Sequence, residues 1–237
     1  MERPAVSVIM PSYNAANFIG EAIASIQAQT FTDWELLITD DASTDNTAAI
    51  VQQLAQTDKR IHFFALTKNS GPGVARNHCL EQARGRYIAF LDADDQWLPQ
   101  KLEKQLRRMQ QQGAYFTFCF YDCTDENGHP TGQRVEAPRF LSYRQLFFCN
   151  YVGNLTGIYD SDFFGKIPIS AIKKRQDWMV WLTVLKRIGY ASPVPESLAL
   201  YRVREQSVSS SKVKLLKYNF AVYREFHRLN VLAASAC

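Results

Sequence analysis

The sequence predicts an α/β fold: a mostly parallel, Rossmann-like sheet flanked by helices, followed by a mixed carboxyl-terminal portion. Three observations lead there. Strand-like and helix-like stretches alternate with short connections through roughly the first hundred residues. The strand-like stretches are short, continuous apolar runs, the pattern of strands covered on both faces. Polar or acidic clusters follow three of them, at the strand ends where open α/β sheets hold ligands.

Val6–Met10 is the first expected strand, and Asn17–Gln29 the first helix, with Phe18, Ile19, Ala22, Ile23 and Ile26 on one face. Trp34–Thr39, Ile61–Leu66 and Tyr87–Leu91 read as further strands, with helices Asp45–Ala55 and Val74–Ala83 between them. This order implies a parallel sheet with right-handed crossovers. Pro99–Gln112 reads as a basic, Gln-rich helix and Tyr115–Tyr121 as an aromatic strand, while Asn127-Gly128 is a turn signal. Tyr143–Phe148 reads as helical, Leu155–Tyr159 as extended, Gln176–Ile188 as an apolar helix and Leu198–Val203 as a late strand. Lys212–Leu232 is expected as one last helix, on which Leu215, Asn219, Val222, Tyr223, Phe226 and Leu229 form a stripe that reads first as a face docked on the domain and second, with Lys212, Lys214, Lys217, Arg224 and Arg228, as a membrane contact. The expected organisation is a domain over residues 1–211, with halves 1–98 and 99–211, and a terminal basic, aromatic helix over 212–237.

Composition sets the broad class. The chain has 237 residues, 46% hydrophobic and 21% charged, as in ordinary soluble globular proteins. Its five cysteines are scattered without metal-ligand spacing, which argues against zinc and against a disulfide framework. The amino terminus enters a strand without a basic region followed by a signal-type apolar run, and no run approaches membrane-spanning length, so a cytoplasmic location is expected. Residues 1–100 carry 7 Lys+Arg against 12 Asp+Glu, and residues 101–237 carry 20 against 11. An acidic half suited to a metal and a basic half suited to anions is one reading; solvated helix faces are the commoner explanation for the basic half.

Asp92-Ala93-Asp94-Asp95 follows directly on the strand Tyr87–Leu91. Crowded carboxylates repel unless protonated or neutralised by a cation, and an all-oxygen site shared with substrate phosphates suits Mg²⁺ or Mn²⁺ better than zinc. The structural alternative is a turn with Asp95 as N-cap and Pro99 starting the next helix. Pro11-Ser12-Tyr13-Asn14 and Asp40-Asp41-Ala42-Ser43 end the first two strands, so all three clusters share one crevice. There Pro11 and Tyr13 offer a flat wall to a base or sugar, and an Asp40-Asp41 carboxylate can accept from a base N–H or ribose hydroxyl. The loop Gly71-Pro72-Gly73-Val74-Ala75-Arg76-Asn77 enters a helix, whose free N–H groups with Arg76 suit a phosphate, although Gly-Pro-Gly is also plain turn chemistry.

Together with Gln176-Asp177-Trp178 and Tyr201-Arg202-Val203-Arg204, these segments resemble family-two glycosyltransferases of the GT-A fold, over most of the chain. The resemblance implies a nucleotide-sugar-binding half and an acceptor half. Pro11, Tyr13, Asn14, Asp40, Asp41, Arg76 and Asp92 would bind the nucleotide-sugar, with Asp92 near the ribose. Asp94 would hold Mn²⁺ or Mg²⁺ on the diphosphate, and Asp177 would be the general base. Trp97 and Trp178 are candidates for the acceptor site, with core packing as the alternative for Trp178. Many relatives carry histidine where this chain has Arg204; arginine cannot ligate a metal but can pair with phosphate. Arg202, Arg204 or Lys212 is therefore expected to cover the diphosphate from a loop over Glu205–Ser211.

The implied activity is inverting transfer of a sugar, most simply from a UDP-sugar, to a lipid-linked or lipopolysaccharide glycan. Its partners would be that donor and acceptor, with an anionic membrane as a peripheral contact of the terminal helix and nucleic acid excluded. A sugar nucleotidyltransferase is one rival; it needs a basic glycine-rich loop near the amino terminus, which Pro11–Asn14 is not. A non-catalytic nucleotide- or carbohydrate-binding module is the other.

Overall fold

Strand β1 (Val6–Ser12) lies inside a six-stranded sheet in a computed structural model that describes residues 3–204 and 212–235. It pairs in parallel with β2 (Trp34–Asp40) on one side and β4 (Tyr87–Phe90) on the other; β3 (Ile61–Ala65) continues the parallel order beyond β2. Alternate residues of these strands point to opposite faces, and each face has its own core. Val8, Met10, Leu36 and Ile38 meet Ile19 and Ile23 of helix α1 (Ile19–Gln27). Ile9, Leu37, Ile88 and Phe90 meet Cys79 and Leu80 of helix α3 (Pro72–Gln82). Helix α2 (Thr47–Thr57) completes the crossovers between β2 and β3.

Beyond β4 the sheet turns antiparallel. β10 (Ile158–Asp160) pairs antiparallel with β4 and with β6 (Phe116–Thr117) at the edge. A second, four-stranded sheet has the order β5 (Gln96–Trp97), β12 (Val194–Arg202), β7 (Cys119–Thr124), β8 (Pro130–Val135). β9 (Leu141–Ser142) and β11 (Tyr190–Ala191) form a short ribbon beside it. Helix α4 (Lys101–Gln112) covers the first core with Leu102, Leu106 and Met109. Helix α5 (Tyr143–Phe148) starts with a capping box built by Ser142 and Gln145, and the single turn α6 (Ser161–Phe164) follows β10. Helix α7 (Gln176–Ile188) buries Trp178, Trp181, Leu182 and Leu185 against the second core.

Three expectations are corrected. The aromatic stretch 115–121 is divided between the two sheets, with Phe118 buried at the crossing. The helix expected from Pro99 starts at Lys101, because Gln96–Trp97 first pairs with β12 and holds the chain extended. Asp95 is therefore no helix cap: it is buried and accepts the backbone N–H of Arg202 at 2.9 Å.

The terminal helix is likewise interrupted. Helix α8 (Lys212–Ala221) passes into a wider π-helical turn, Val222–Phe226, then a left-handed Arg228 (φ 56°), and restarts as α9 (Val231–Ser235). Val222 and Tyr223 dock in the second core, and the Tyr223 hydroxyl donates to the Phe147 carbonyl at 2.9 Å. The side chain of Asn230 then accepts the N–H of Ala233, an N-cap that restarts the helix. The expected diphosphate-covering loop Glu205–Ser211 and the Lys212 side chain lie outside the described residues. No helix among the described residues is long and apolar enough to cross a membrane.

Candidate active site

The parallel strands end together, and the loops that leave them are tied to one another. At the end of β2, the Asp40 carboxylate accepts from Ser12 Oγ at 3.0 Å and from the Ser43 N–H at 2.8 Å. Those bonds hold the following turn, in which Ala42 takes a left-handed φ of 59°. Asp41 then points the other way, its two oxygens accepting the N–H groups of Ser70 and Gly71, each at 2.7 Å. Asn14, itself left-handed (φ 46°), donates its N–H to Ser43 Oγ and accepts the N–H of Thr44. Asp40 and Asn14 thus shape the loops, whereas Pro11, Tyr13 and Asp41 line the cleft.

The glycine-rich entry to α3 does a different task from the expected phosphate cradle. The N–H groups of Ser70 and Gly71, just ahead of the helix, are taken by Asp41. Gly71 has a φ of 93°, and a Cβ on Gly73 would lie 2.6 Å from Gln176 Nε2 and 2.8 Å from the Ser170 carbonyl. Only glycine lets α3 approach the segment before α7 this closely. Arg76, one turn on, then bridges two distant elements: it donates to Gln176 Oε1 at 2.6 Å and to Asp92 Oδ1 at 2.5 Å.

Asp92 also accepts from Asn154 at 3.0 Å. Asp94 pairs with Arg204 at 3.2 Å. Burial, reinforced by Asp92, pushes the Asp94 pKa up against the opposing pull of Arg204. Burial pushes that of Asp95 well up, and Asp94 and Asp92 add to it. Arg202 is committed throughout: its guanidinium donates to the Asp94 carbonyl, the Glu126 carbonyl and Glu21, so it locks the aspartate loop to its surroundings.

Asp177 stands in the first turn of α7, just after a left-handed Arg175 (φ 65°). Its carboxylate accepts from Asn150 Nδ2 at 2.8 Å. Burial raises its pKa, opposed by the Trp178 N–H, by Asn150 and by the charges of Arg175 and Arg76. Trp97 and Trp178, expected as acceptor contacts, are core residues instead. Both are 2% exposed, and each indole N–H has a buried carbonyl partner, Leu155 for Trp97 and Leu146 for Trp178. Satisfying the indole N–H inside removes the reason for an amphipathic ring to stay at the surface.

A cavity of about 650 Å³ joins these parts, lined among others by Tyr13, Asp41, Arg76, Asp94, Asp177 and Arg204. It also takes in residues the sequence reading passed over: Asn150, Asn154, Tyr121, and the cations Lys173 and Lys174. The only signal for the two asparagines was a pair of amides in an otherwise apolar stretch. Among the described residues no group of three or more His, Cys, Asp or Glu is placed to hold a metal. Asp94 fits a hard cation that takes its other ligands from substrate phosphates and water, as Mg²⁺ and Mn²⁺ do, and does not fit zinc.

A parallel sheet with acidic strand ends, flanked on one side by an antiparallel extension, is the architecture expected of the GT-A type of glycosyltransferase fold. In agreement, residues 7–164 match the profile of Glycosyl transferase family 2. TuaG of Bacillus subtilis (strain 168), assigned a glycosyltransferase role in teichuronic acid biosynthesis, is 43% identical over 235 residues, covering 99% of this chain and 93% of TuaG. WfgD of Escherichia coli, named as a UDP-Glc:alpha-D-GlcNAc-diphosphoundecaprenol beta-1,3-glucosyltransferase, is 36% identical over 222 residues, covering 93% of this chain and 86% of WfgD. Staphylococcus aureus TarS in complex with UDP-GlcNAc superposes with a TM-score of 0.75 at 22% identity, over 97% of this chain and 69% of that one. The Pyrobaculum calidifontis mannosyltransferase PcManGT, with GDP-Man and Mn²⁺, gives 0.71 at 19% identity, over 100% of this chain and 70% of that one. The chain belongs to glycosyltransferase family 2.

Proposed function

We propose that this glycosyltransferase is inverting and metal-dependent, and moves a sugar from a UDP-sugar to a hydroxyl of a lipid-linked glycan during bacterial surface-polysaccharide synthesis. The observation that carries the reading is the joint opening of Asp94 and Asp177 into one cleft. Asp177 takes the proton of the acceptor hydroxyl as its oxygen bonds to the anomeric carbon. The bond from that carbon to the phosphate oxygen breaks on the opposite face, and the electron pair leaves with the nucleoside diphosphate. Asp94 would hold Mn²⁺ or Mg²⁺, which when bound offsets the charge developing on that diphosphate. Pro11, Tyr13 and Asp41 receive the nucleoside. Arg76 fixes Asp92, on the ribose side, relative to the helix that carries the base. Arg204 is released from Asp94 to the diphosphate when donor binds. Arg204→Ala leaving donor affinity and turnover unchanged would remove Arg204 from the scheme.

The lipid-linked acceptor rests on the WfgD name and on the exposed apolar residues Leu216, Phe220, Val231 and Leu232, which stand among Lys217, Arg224 and Arg228. That mixture suits peripheral contact with an anionic membrane, at its cytoplasmic face. Sedimentation with anionic liposomes tests the contact; absence of binding at low salt refutes it. The activity itself is tested by calorimetry or thermal shift with Mn²⁺ across UDP-, GDP- and dTDP-sugars. Selective stabilisation by a UDP-sugar is expected, and stabilisation by none overturns the reading.

A further inference from the structure

Most cations of the cleft are matched inside the protein. Arg76 serves Asp92 and Gln176, Arg202 serves the aspartate loop, and Arg204 pairs with Asp94. Lys173 and Lys174 also line the cleft, and among the described residues neither makes an ion pair. With Arg175 they form three consecutive cations directly before Gln176 and the base Asp177.

Their backing is specific. The Lys174 ammonium sits 5.2 Å from the ring centroid of Tyr218, and Arg175 donates from Nε to Asn219 Oδ1 at 2.8 Å. Both partners belong to α8. The same helix exposes Leu216, 67% accessible, and Phe220, 37% accessible, with Lys217 between them. The cationic stretch therefore lies between the cleft and α8, the helix that also exposes those apolar residues. It is held with Arg175 in a left-handed conformation that a residue other than glycine rarely adopts.

We propose that Lys173, Lys174 and Arg175 form the subsite for the diphosphate that joins the acceptor sugar to its lipid. The inference rests on the lipid-linked acceptor read above and adds the group that recognises the linkage. A lipid-linked acceptor must reach Asp177 from an apolar surface, and the phosphates stand between its lipid and its sugar. Three cations at that boundary, beside the base, match this order of apolar chain, anion and reacting hydroxyl. A nucleotide-sugar donor shares the diphosphate but has no apolar chain to place against α8.

The test compares two acceptors carrying the same sugar, one on a lipid diphosphate and one on a neutral alkyl chain, with the full-length protein. The wild type should prefer the diphosphate acceptor, with a KM that rises with salt. In the double variant Lys173→Gln/Lys174→Gln, the KM for the diphosphate acceptor should rise by about tenfold or more, and its salt dependence should flatten. The dissociation constant for UDP, measured by calorimetry, should not move. Arg175 stays intact so that its hydrogen bond to Asn219 still ties the segment to α8, and the unchanged UDP dissociation constant checks that the double variant is folded. A preference that survives the double substitution overturns the subsite while leaving the lipid-linked acceptor standing. Weakened UDP binding with an unchanged acceptor KM overturns it in favour of the donor diphosphate. A wild type indifferent to the diphosphate removes both the subsite and the acceptor class on which it rests.

Discussion

At the β4 end of the cleft every aspartate meets an arginine. Asp92 pairs with Arg76, Asp94 pairs with Arg204, and Asp95 accepts the backbone N–H of Arg202. At the α7 end, Asp177 meets the neutral amide of Asn150 and makes no ion pair among the described residues. Burial lifts the pKa of Asp94 and of Asp177 alike, but in one case a guanidinium pulls it back at contact distance. A carboxylate matched by a cation is a place for positive charge. A carboxylate held by an amide keeps its appetite for a proton. One cleft thus holds two aspartates that burial raises alike and whose contact partners differ, a guanidinium for Asp94 and an amide for Asp177.

The largest break in this contrast is Asp177→Asn. The amide keeps the shape and can still accept from Asn150, but it takes no proton, so kcat should fall by about a hundredfold to ten-thousandfold. Stability should hold or rise. A carboxyl whose pKa is raised on folding binds more protons folded than unfolded, so its effect on stability turns unfavourable as pH rises through that window. Removing the ionisable group removes that penalty at neutral pH. A variant with wild-type turnover would refute the base assignment.

Asp94→Asn breaks the other end. It should weaken the Mn²⁺-dependent part of donor binding by about tenfold or more, the contribution of one charged ligand. Calorimetry with UDP, with and without Mn²⁺, reads this directly, and Asp177→Asn should not reproduce it. If both variants lose metal-dependent binding equally, the two ends do not have separate tasks.

Arg76→Lys probes the bridge between them. Lysine keeps the charge but has no fork to reach Asp92 and Gln176 together. The expected loss is about 1–3 kcal/mol, the consequence of leaving a buried partner unmatched, read as a lower midpoint in thermal or urea unfolding. An unaltered midpoint would mean that the bridge does not hold the two ends in register.

The parts of this arrangement legible in the sequence are those written locally. Short apolar runs announced β1 to β4, and clusters at their ends announced a crevice, because parallel strands must bring those ends together. The unreadable parts are pairings across the chain. Arg76 meets Gln176 a hundred residues away, and nothing near Arg76 names that partner. Hence the glycine-rich loop looked like a phosphate cradle, although Gly73 is there to let α3 touch the segment before α7. Trp97 and Trp178 went astray for a related reason. Whether an indole is buried depends on a carbonyl waiting for its N–H, and Leu155 and Leu146 supply it from other elements. The terminal helix read as continuous because its stripe kept helical spacing, whereas docking of Val222 and Tyr223 widens the turn between them and Phe226.

The smallest expected effect lies in the hydrogen bond that distinguishes Asp177. Asn150 donates to its carboxylate, and Val152 holds the Asn150 side chain in turn by donating its backbone N–H to Asn150 Oδ1. A donor bound to a carboxylate favours the charged form, so Asn150 lowers the Asp177 pKa against the rise that burial imposes. In Asn150→Ala that opposition is gone and the pKa climbs further. A general base, the role proposed for Asp177, works only when deprotonated, so the acid limb of the kcat/KM profile should move to higher pH. Above that limb the base is deprotonated in both proteins, and the remaining loss, from poorer orientation, should be about threefold to tenfold, as for one hydrogen bond. A purely structural role for Asn150 would lower the rate at every pH without moving the limb. Asn150→Asp sharpens the point: a second carboxylate beside Asp177 should move the limb further in the same direction, since like charges disfavour ionisation. If the limb stays in place in both variants, the partner of Asp177 does not set its basicity, and the contrast between the two ends of the cleft loses its physical cause.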